Sequence, residues 1–519
     1  MSNKNYYEEI SLYDIEKLKL LFKGNKVVAY GNGSFYIKVK EFIEELGFEF
    51  DDVLYSENFK IISSSGREYE EIVMDSLILI CSSFYEDIIE LIKKQRIQPK
   101  SIKISSFFFK ATYFNKYHIL KEEKHKKLLS VLENKKKIRV LFLAINKSVW
   151  KVDSIFEKML EDPYFEPLIL VCPYTAYGEE RMWEDMNDTF KYFKDKEYPV
   201  ILSYNKEKND WLKLSELEPD IIFCTNPYKI TKKYYYEDAF MNYLSCYVPY
   251  FYLITTHDDE QPIYNQLFHN MMWKIFLPHE ISLFLTKKIS TNQGKNALLT
   301  GYPFCESLLK ENNKNLVWKY QATKKIRIIY APHHSINNKE ELQLSTFLRY
   351  AYFFKDISNK FKHETQWCFK PHPILKSKLY SHHDWGKIKT DEYYKYWENS
   401  VNTQFDDGEY IDLFKQSDCM IHDSGSFLVE YLFMKKPVMY LMTTQTEKNL
   451  NKFGLEALKC CIMGYNEEDI KDFIYKLIRN EITEENEKNF IEKHIDKFFK
   501  HSLPSEKIIS YIKNKIMRK

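Results

Sequence analysis

At 519 residues the chain is too long for one ordinary core, so two or three domains are expected. Hydrophobic residues make up 44% and charged residues 29%, a globular balance, and 76 basic against 74 acidic residues leave a net charge of +2, which excludes a global field recruiting nucleic acid. The nine cysteines are scattered with no C-x-x-C pair, which argues against a disulfide framework or a zinc site and for a reducing cytosol, and no window approaches the roughly 20 apolar residues of a membrane helix.

The N-terminus has no apolar signal core. Residues 11–22 read as a short amphipathic helix. Lys26–Tyr30 reads as a strand, followed by Gly31-Asn32-Gly33-Ser34, a helix through Leu46, and Asp51 about twenty residues past the glycines. This is the opening of a Rossmann-like unit without its third glycine, and Gly31, Gly33, Ser34 and Asp51 form a candidate second nucleotide site. Strands over 76–81 and 101–105 extend a small α/β domain across 1–118. The charge run Lys121–Lys137 predicts a solvated linker helix over 119–137.

A second α/β domain, 138–312, starts at the strand Ile138–Leu143. A helix is expected over Asn146–Leu160, with strands over 167–172, 218–224 and 248–254. Strands alternating with helices argue for a doubly wound parallel sheet, whose ligands gather at the carboxyl ends of the strands. Thr225-Asn226-Pro227 and Thr255-Thr256-His257-Asp258-Asp259 fall in that zone. A polar stretch, Glu311–Thr323, is the expected crossover to a third α/β unit, 324–519.

Three strand ends in this last unit carry polar turns. Ile326–Tyr330 leads to Ala331-Pro332-His333-His334-Ser335, and Gln366–Phe369 leads to Lys370-Pro371-His372-Pro373. Cys419–Ile421 leads to His422-Asp423-Ser424-Gly425-Ser426, followed by a helix through Met434 and a strand Val438–Leu441. A small hydroxyl-rich turn between strand and helix presents backbone N–H groups to an anion, and the usual anion is a phosphate. Imidazoles, an ammonium, hydroxyls and turn N–H groups together suit a diphosphate held without a metal. In the preceding half His257, with Asp258, Asp259 and Glu260 beside it, suits a general base.

At these residues the chain resembles the CDP-glycerol glycerophosphotransferase family of teichoic-acid and capsule polyol-phosphate polymerases. The resemblance lies in Tyr330-Ala331-Pro332-His333, Lys370-Pro371-His372-Pro373, Ser417-Asp418, Asp423, Ser426, Glu430-Tyr431 and Lys436-Pro437. The family's tryptophan-histidine-glycine acceptor motif is represented only by Thr255-Thr256-His257, and its Tyr-Ser-Ser turn by Ser424-Gly425-Ser426. The resemblance implies a GT-B fold, an acceptor half over 138–312 and a donor half over 324–519. It implies transfer of a glycerol-phosphate-like or sugar group from a CDP-linked donor to a hydroxyl of a surface glycopolymer or lipid-linked acceptor, in teichoic-acid, capsule or lipopolysaccharide synthesis. His257 and His372 are the implied catalytic residues. The donor set is His333, His334, Ser335, Lys370, Asp423, Ser424, Gly425, Ser426 and Glu430, with no metal and no cofactor beyond the donor itself. The expected place is the cytoplasm, with peripheral contact at the membrane face. A UDP-sugar glycosyltransferase or 2-epimerase of the same fold, and a non-catalytic GT-B scaffold, are the alternatives.

Overall fold

A computed structural model describes residues 7–9, 15–58, 60–82, 85–104, 121–257, 260–310, 316–337, 342–482 and 487–517. The chain divides into two compact units, 1–122 and 123–519.

The first unit is one sheet of six strands: β1 (Tyr7–Glu9), β2 (Lys26–Tyr30), β3 (Asp52–Glu57), β4 (Lys60–Ser63), β5 (Ser76–Ile80) and β6 (Ser101–Ile104). The order is β1-β6-β5-β2-β3-β4, parallel except for the β3–β4 hairpin. Val27, Val28, Ala29, Leu77, Ile78, Leu79 and Ile80 are buried, as expected of central parallel strands covered on both faces.

The second unit holds two doubly wound sheets. The first contains β7 (Ile138–Ala144), β8 (Phe165–Val171) and β9 (Val200–Leu202); a side hairpin, β10 (Tyr204–Asn205) with β11 (Asp210–Trp211), follows. β12 (Ile221–Cys224), β13 (Leu244–Tyr247), β14 (Lys274–Leu277) and β15 (Ala297–Leu299) complete the sheet. Its parallel order is β15-β14-β13-β12-β7-β8-β9. The second sheet contains β16 (Ile326–Ala331), β17 (Thr365–Phe369), β18 (Thr403–Phe405), β19 (Cys419–His422), β20 (Val438–Leu441) and β21 (Ile462–Gly464) in the parallel order β18-β17-β16-β19-β20-β21. Each order reverses direction at its first strand, the topology that opens a crevice at the carboxyl ends. The last helix, Pro504–Met517, returns to the first half and buries Ile508, Ile509, Ile512 and Ile516 with Ile155, Phe156 and Met159. Two Rossmann-like halves tied by a returning terminal helix make the GT-B arrangement.

Three local expectations are corrected. Residues 248–254 are not a strand; β13 ends at Tyr247, because Pro249 lacks the N–H a central strand must donate. The helix expected from Asn146 is a 3₁₀ turn, Lys147–Val149, and a separate helix, Asp153–Glu161. The charge run is helical over 121–132, but Leu132 is buried and Leu128 and Leu129 pack on the core of β7 and β8. Lys124 Nζ donates to Met241 O at 2.9 Å and Asn242 Oδ1 at 2.8 Å, so this helix is docked. The strand ending at Ser105 is β6 through Ile104; residue 105 lies outside the described residues, as do 311–315 of the crossover.

Candidate active site

The site lies where β16, β17 and β19 end side by side, with Ala331 in register with His422 and Tyr330 with Phe369. Adjacent parallel strands deliver their following turns to one place, so the His333-His334 turn, the Lys370–Pro373 turn and the Ser424–Ser426 turn converge. The imidazole centroids of His333 and His334 are 4.2 Å apart, those of His334 and His372 4.2 Å, and those of His333 and His372 5.5 Å. Lys378, on the helix Leu375–Tyr380, brings Nζ to 2.9 Å from His334 Nδ1. Burial holds the His333 and His372 imidazoles well below the usual histidine range, and their cationic neighbours push the same way. Two imidazolium charges at this spacing would repel by roughly 4 kcal/mol at an effective dielectric of 20, so neutral rings are favoured.

The backbone fixes this cluster from below. His372 N–H donates to Pro332 O at 3.0 Å, tying the second turn to the first. Asp423 is fully buried; its Oδ1 accepts from His333 N–H, and its Oδ2 accepts from Thr346 N–H at 2.6 Å and Thr346 Oγ1 at 2.8 Å. Burial pushes the Asp423 carboxyl up to about 6, against the pull of those donors. Its oxygens are spent on protein donors, so Asp423 shapes the turns rather than meeting an anion. His422 does related work: its Nδ1 accepts from Ser424 N–H at 3.2 Å, and burial holds it down to about 3.

Three further members of the expected donor set are also committed elsewhere. The Lys370 ammonium, 5% exposed, donates to Asp406 Oδ1 at 2.8 Å and to Gly408 O. Ser335 Oγ accepts from Leu344 N–H at 3.0 Å and Ser345 N–H at 3.1 Å. Glu430 is buried under the turn, where its Oε2 accepts from Tyr410 and Tyr410 Oη accepts from Lys151 Nζ at 2.6 Å. Burial drives Glu430 up and Lys151 down, each partly offset by the other. Lys151 comes from the first half, so this chain of contacts spans the two halves. The remaining members, His333, His334, Ser424, Gly425 and Ser426, gather around the cluster with the expected catalytic His372; the Ser426 hydroxyl is half-buried and meets no hydrogen-bond partner among the described residues.

The first half reaches the same place through Thr255-Thr256-His257. A methyl group placed on Gly425 would lie 3.7 Å from Thr255 Cγ2, so this segment abuts the serine turn. Thr256 N–H donates to Asn449 O at 3.0 Å, and Asn451 N–H to Ile254 O at 2.9 Å. His257 is half-buried, with Nε2 3.3 Å from Thr255 Oγ1 and its N–H donating to Glu260 Oε1 at 3.1 Å. Asp258 and Asp259 lie outside the described residues. Lys378, Thr346 and Lys151 carry no motif signature, and only the folded contacts bring them forward.

In the first unit, Gly31 takes φ 127° and a Cβ there would lie 2.8 Å from Cys81 O, so the turn after β2 requires glycine. Gly33 follows, and Ser34 opens the helix Ser34–Glu45. Asp51 sits at the other end of the sheet, its Oδ2 accepting from Val27 N–H at 2.6 Å, so it does not join the glycine turn. An open crevice of about 760 Å³ beside the turn is lined by Asn32, Tyr36, Tyr55, Ser56 and Glu57.

A doubly wound pair of domains with an imidazole and hydroxyl cluster at the carboxyl ends of its second sheet is the GT-B architecture with an anion-facing site. Residues 278–513, a little under half of the chain, match the family model described as CDP-Glycerol:Poly(glycerophosphate) glycerophosphotransferase. No curated protein gives a significant match. Among solved structures, the wall teichoic acid polymerase TagF soaked with CDPG is similar at 14% identity and TM-score 0.47, covering 79% of this chain and 98% of that one. A UDP-N-acetylglucosamine 2-epimerase from Listeria monocytogenes is similar at 15% identity and TM-score 0.45, covering 74% and 98%. The UDP-GlcNAc 2-epimerase from Neisseria meningitidis bound to UDP-GlcNAc follows at 12% identity and TM-score 0.43, covering 74% and 100%.

Proposed function

We propose that the chain is a glycerophosphotransferase that moves a glycerol-phosphate-like group from a CDP-linked donor to a hydroxyl of a teichoic-acid-like glycopolymer. The observation that carries this reading is that the family match, 278–513, falls on the segment supplying the histidine cluster and the serine turn. In the reaction the acceptor oxygen attacks the donor's β-phosphorus, the bridging P–O bond breaks, and CMP leaves with that bond's electron pair. His257 takes the hydroxyl proton, and Glu260, bonded to its backbone N–H, holds the loop that carries it. The cluster of His333, His334 and His372 with Lys378 faces the negative charge that builds on the phosphates. The donor is a substrate, and the reading invokes neither metal nor cofactor. Among the described residues no helix is long and apolar enough to cross a membrane; work on a lipid-linked acceptor would be done from a membrane face, and capsule or lipopolysaccharide polymers are acceptors of the same chemistry.

The test is CMP release from CDP-glycerol by the purified chain in the presence of a glycerol-phosphate oligomer, with UDP-N-acetylglucosamine as the competing donor. His257→Ala should lower turnover about 10²–10⁴-fold with donor affinity kept, whereas His372→Ala should lower both. Release of UDP, or epimer formation from the UDP-sugar with no CMP from CDP-glycerol, would refute the reading, as would a stable His257→Ala variant with normal turnover.

A further inference from the structure

Ser335 and Lys378 stand beneath the histidine cluster in positions that fix which ring nitrogen carries the proton. Ser335 Oγ accepts two backbone N–H groups, from Leu344 and Ser345, at 3.0 and 3.1 Å. A hydroxyl oxygen has two lone pairs, so both are occupied and its O–H must donate elsewhere. The acceptor at hand is His333 Nδ1, 2.9 Å away, which also receives Ser335 N–H at 3.3 Å. An ammonium can only donate, so Lys378 Nζ at 2.9 Å makes His334 Nδ1 an acceptor as well. His372 Nδ1 receives the weaker Ile374 N–H at 3.4 Å. In all three rings Nδ1 faces a donor, which leaves the proton on Nε2.

We propose that Ser335 and Lys378 are positioning residues that hold His333 and His334 as Nε2–H tautomers alongside His372, so that a bound phosphate chain meets a preset group of imidazole N–H donors with the Lys378 ammonium behind them. The proposal rests on the donor-site reading above and specifies the ligand part it serves, the diphosphate rather than the base or the transferred group. The burial that keeps His333 and His372 uncharged agrees with it. Donors set in advance need no rearrangement as charge develops, the condition under which hydrogen bonds contribute most to phosphoryl transfer.

The experiment uses the full chain with histidine rings labelled with ¹⁵N. Long-range ¹H–¹⁵N correlation on the unliganded protein, assigned with His333→Gln and His334→Gln, should show both rings in the Nε2–H form. Ser335→Ala should shift His333 to a tautomer mixture and weaken binding of CDP and of inorganic pyrophosphate about tenfold, and Ser335→Thr, which keeps the hydroxyl, should restore both. Lys378→Met should move the His334 signals and weaken both ligands to a similar degree, with Lys378→Arg retaining most of the affinity. An Nδ1–H form at His333 in the wild type, or a Ser335→Ala chain with unchanged ring signals and affinities, overturns the proposal. Pyrophosphate binding without CDP binding would sink the donor reading and leave this inference standing; binding of neither would overturn both. If Ser335→Ala fails to fold, the wild-type ring signals and the Lys378 pair decide it.

Discussion

Asp423 is a carboxylate placed where the chain pattern suggests a ligand for phosphate, yet it is fully buried among protein donors, with its carboxyl pushed up to about 6. A folded-state value above the unfolded one, about 3.9, means that the folded protein binds the proton more tightly. The stability linked to this group is therefore fully present below about pH 4 and lost as pH rises through 6. Asp423→Asn removes that titration. The unfolding free energy of the wild type relative to Asp423→Asn should rise by about 2 kcal/mol between pH 7 and pH 4, measured by denaturant unfolding at each pH. A flat difference across that window would mean that Asp423 stays charged in the fold. The same limit applied at Lys370, which turns to Asp406, and at Ser335, which turns to its own loop. Residue types at strand ends were legible from sequence, and so was their convergence through the β-α repeat. Side-chain direction was not, because it depends on partners dozens of residues away, such as Thr346 for Asp423. Asp51 failed for a nearer reason. Phe48 and Phe50 pack against Phe22 instead of forming a strand, so β3 begins at Asp52 and Asp51 falls at its amino end.

Beside the terminal helix and the Lys151 contacts, the segment 252–257, bound to 449–454, also couples the halves. Leu253 takes φ 55°, a left-handed conformation costly for leucine, and three contacts hold it. Asn451 Nδ2 donates to Leu253 O at 2.7 Å, Asn451 N–H to Ile254 O at 2.9 Å, and His279 Nε2 to Tyr252 O at 2.8 Å. Asn451 also caps the helix Lys452–Leu458, its Oδ1 accepting from Phe453 and Gly454 N–H. This one side chain both starts a donor-half helix and fixes the acceptor-half segment that carries His257. Asn451→Ala should cost about 2 kcal/mol, summing a lost cap and a lost buried hydrogen bond, and should lower kcat beyond what stability explains. Gly454→Ala should act similarly, because its Cβ would stand 2.7 Å from Ile254 O and force that backbone to move. Chemical denaturation and turnover on the same preparations check both; full activity in a destabilised Asn451→Ala chain would reduce the segment to a structural strut. Sequence periodicity located the strands on either side, but a link between residues two hundred positions apart leaves no local pattern. Of the residues at stake, Leu253 falls in the apolar run that reads as a strand over 248–254, and Gly454 carries no signal of its own.

At the scale of the molecule, the chain pattern gave three α/β repeats and a charged helix after the first, and the structure adds which body that helix serves. The compact unit that contains both GT-B sheets begins at residue 123, and the helix over 121–132 supplies Leu128, Leu129 and Leu132 to its core. Lysine and glutamate dominate that stretch, so composition predicted a solvated linker, while the leucine stripe that docks it is only three residues wide. Two truncations separate these readings. A chain starting at residue 121 keeps the stripe and the Lys124 contacts to Met241 and Asn242, and should fold, unfold cooperatively and bind CDP with wild-type affinity. A chain starting at residue 135 loses Leu132, which is 4% exposed, along with its two neighbours. Removing one buried leucine costs about 2–5 kcal/mol, so this chain should melt well below the first while its donor-half turns stay in place. Equal melting temperatures for the two chains would return the helix to the role of a linker. Loss of CDP binding in the chain from 121 would instead make the first 120 residues part of the donor site.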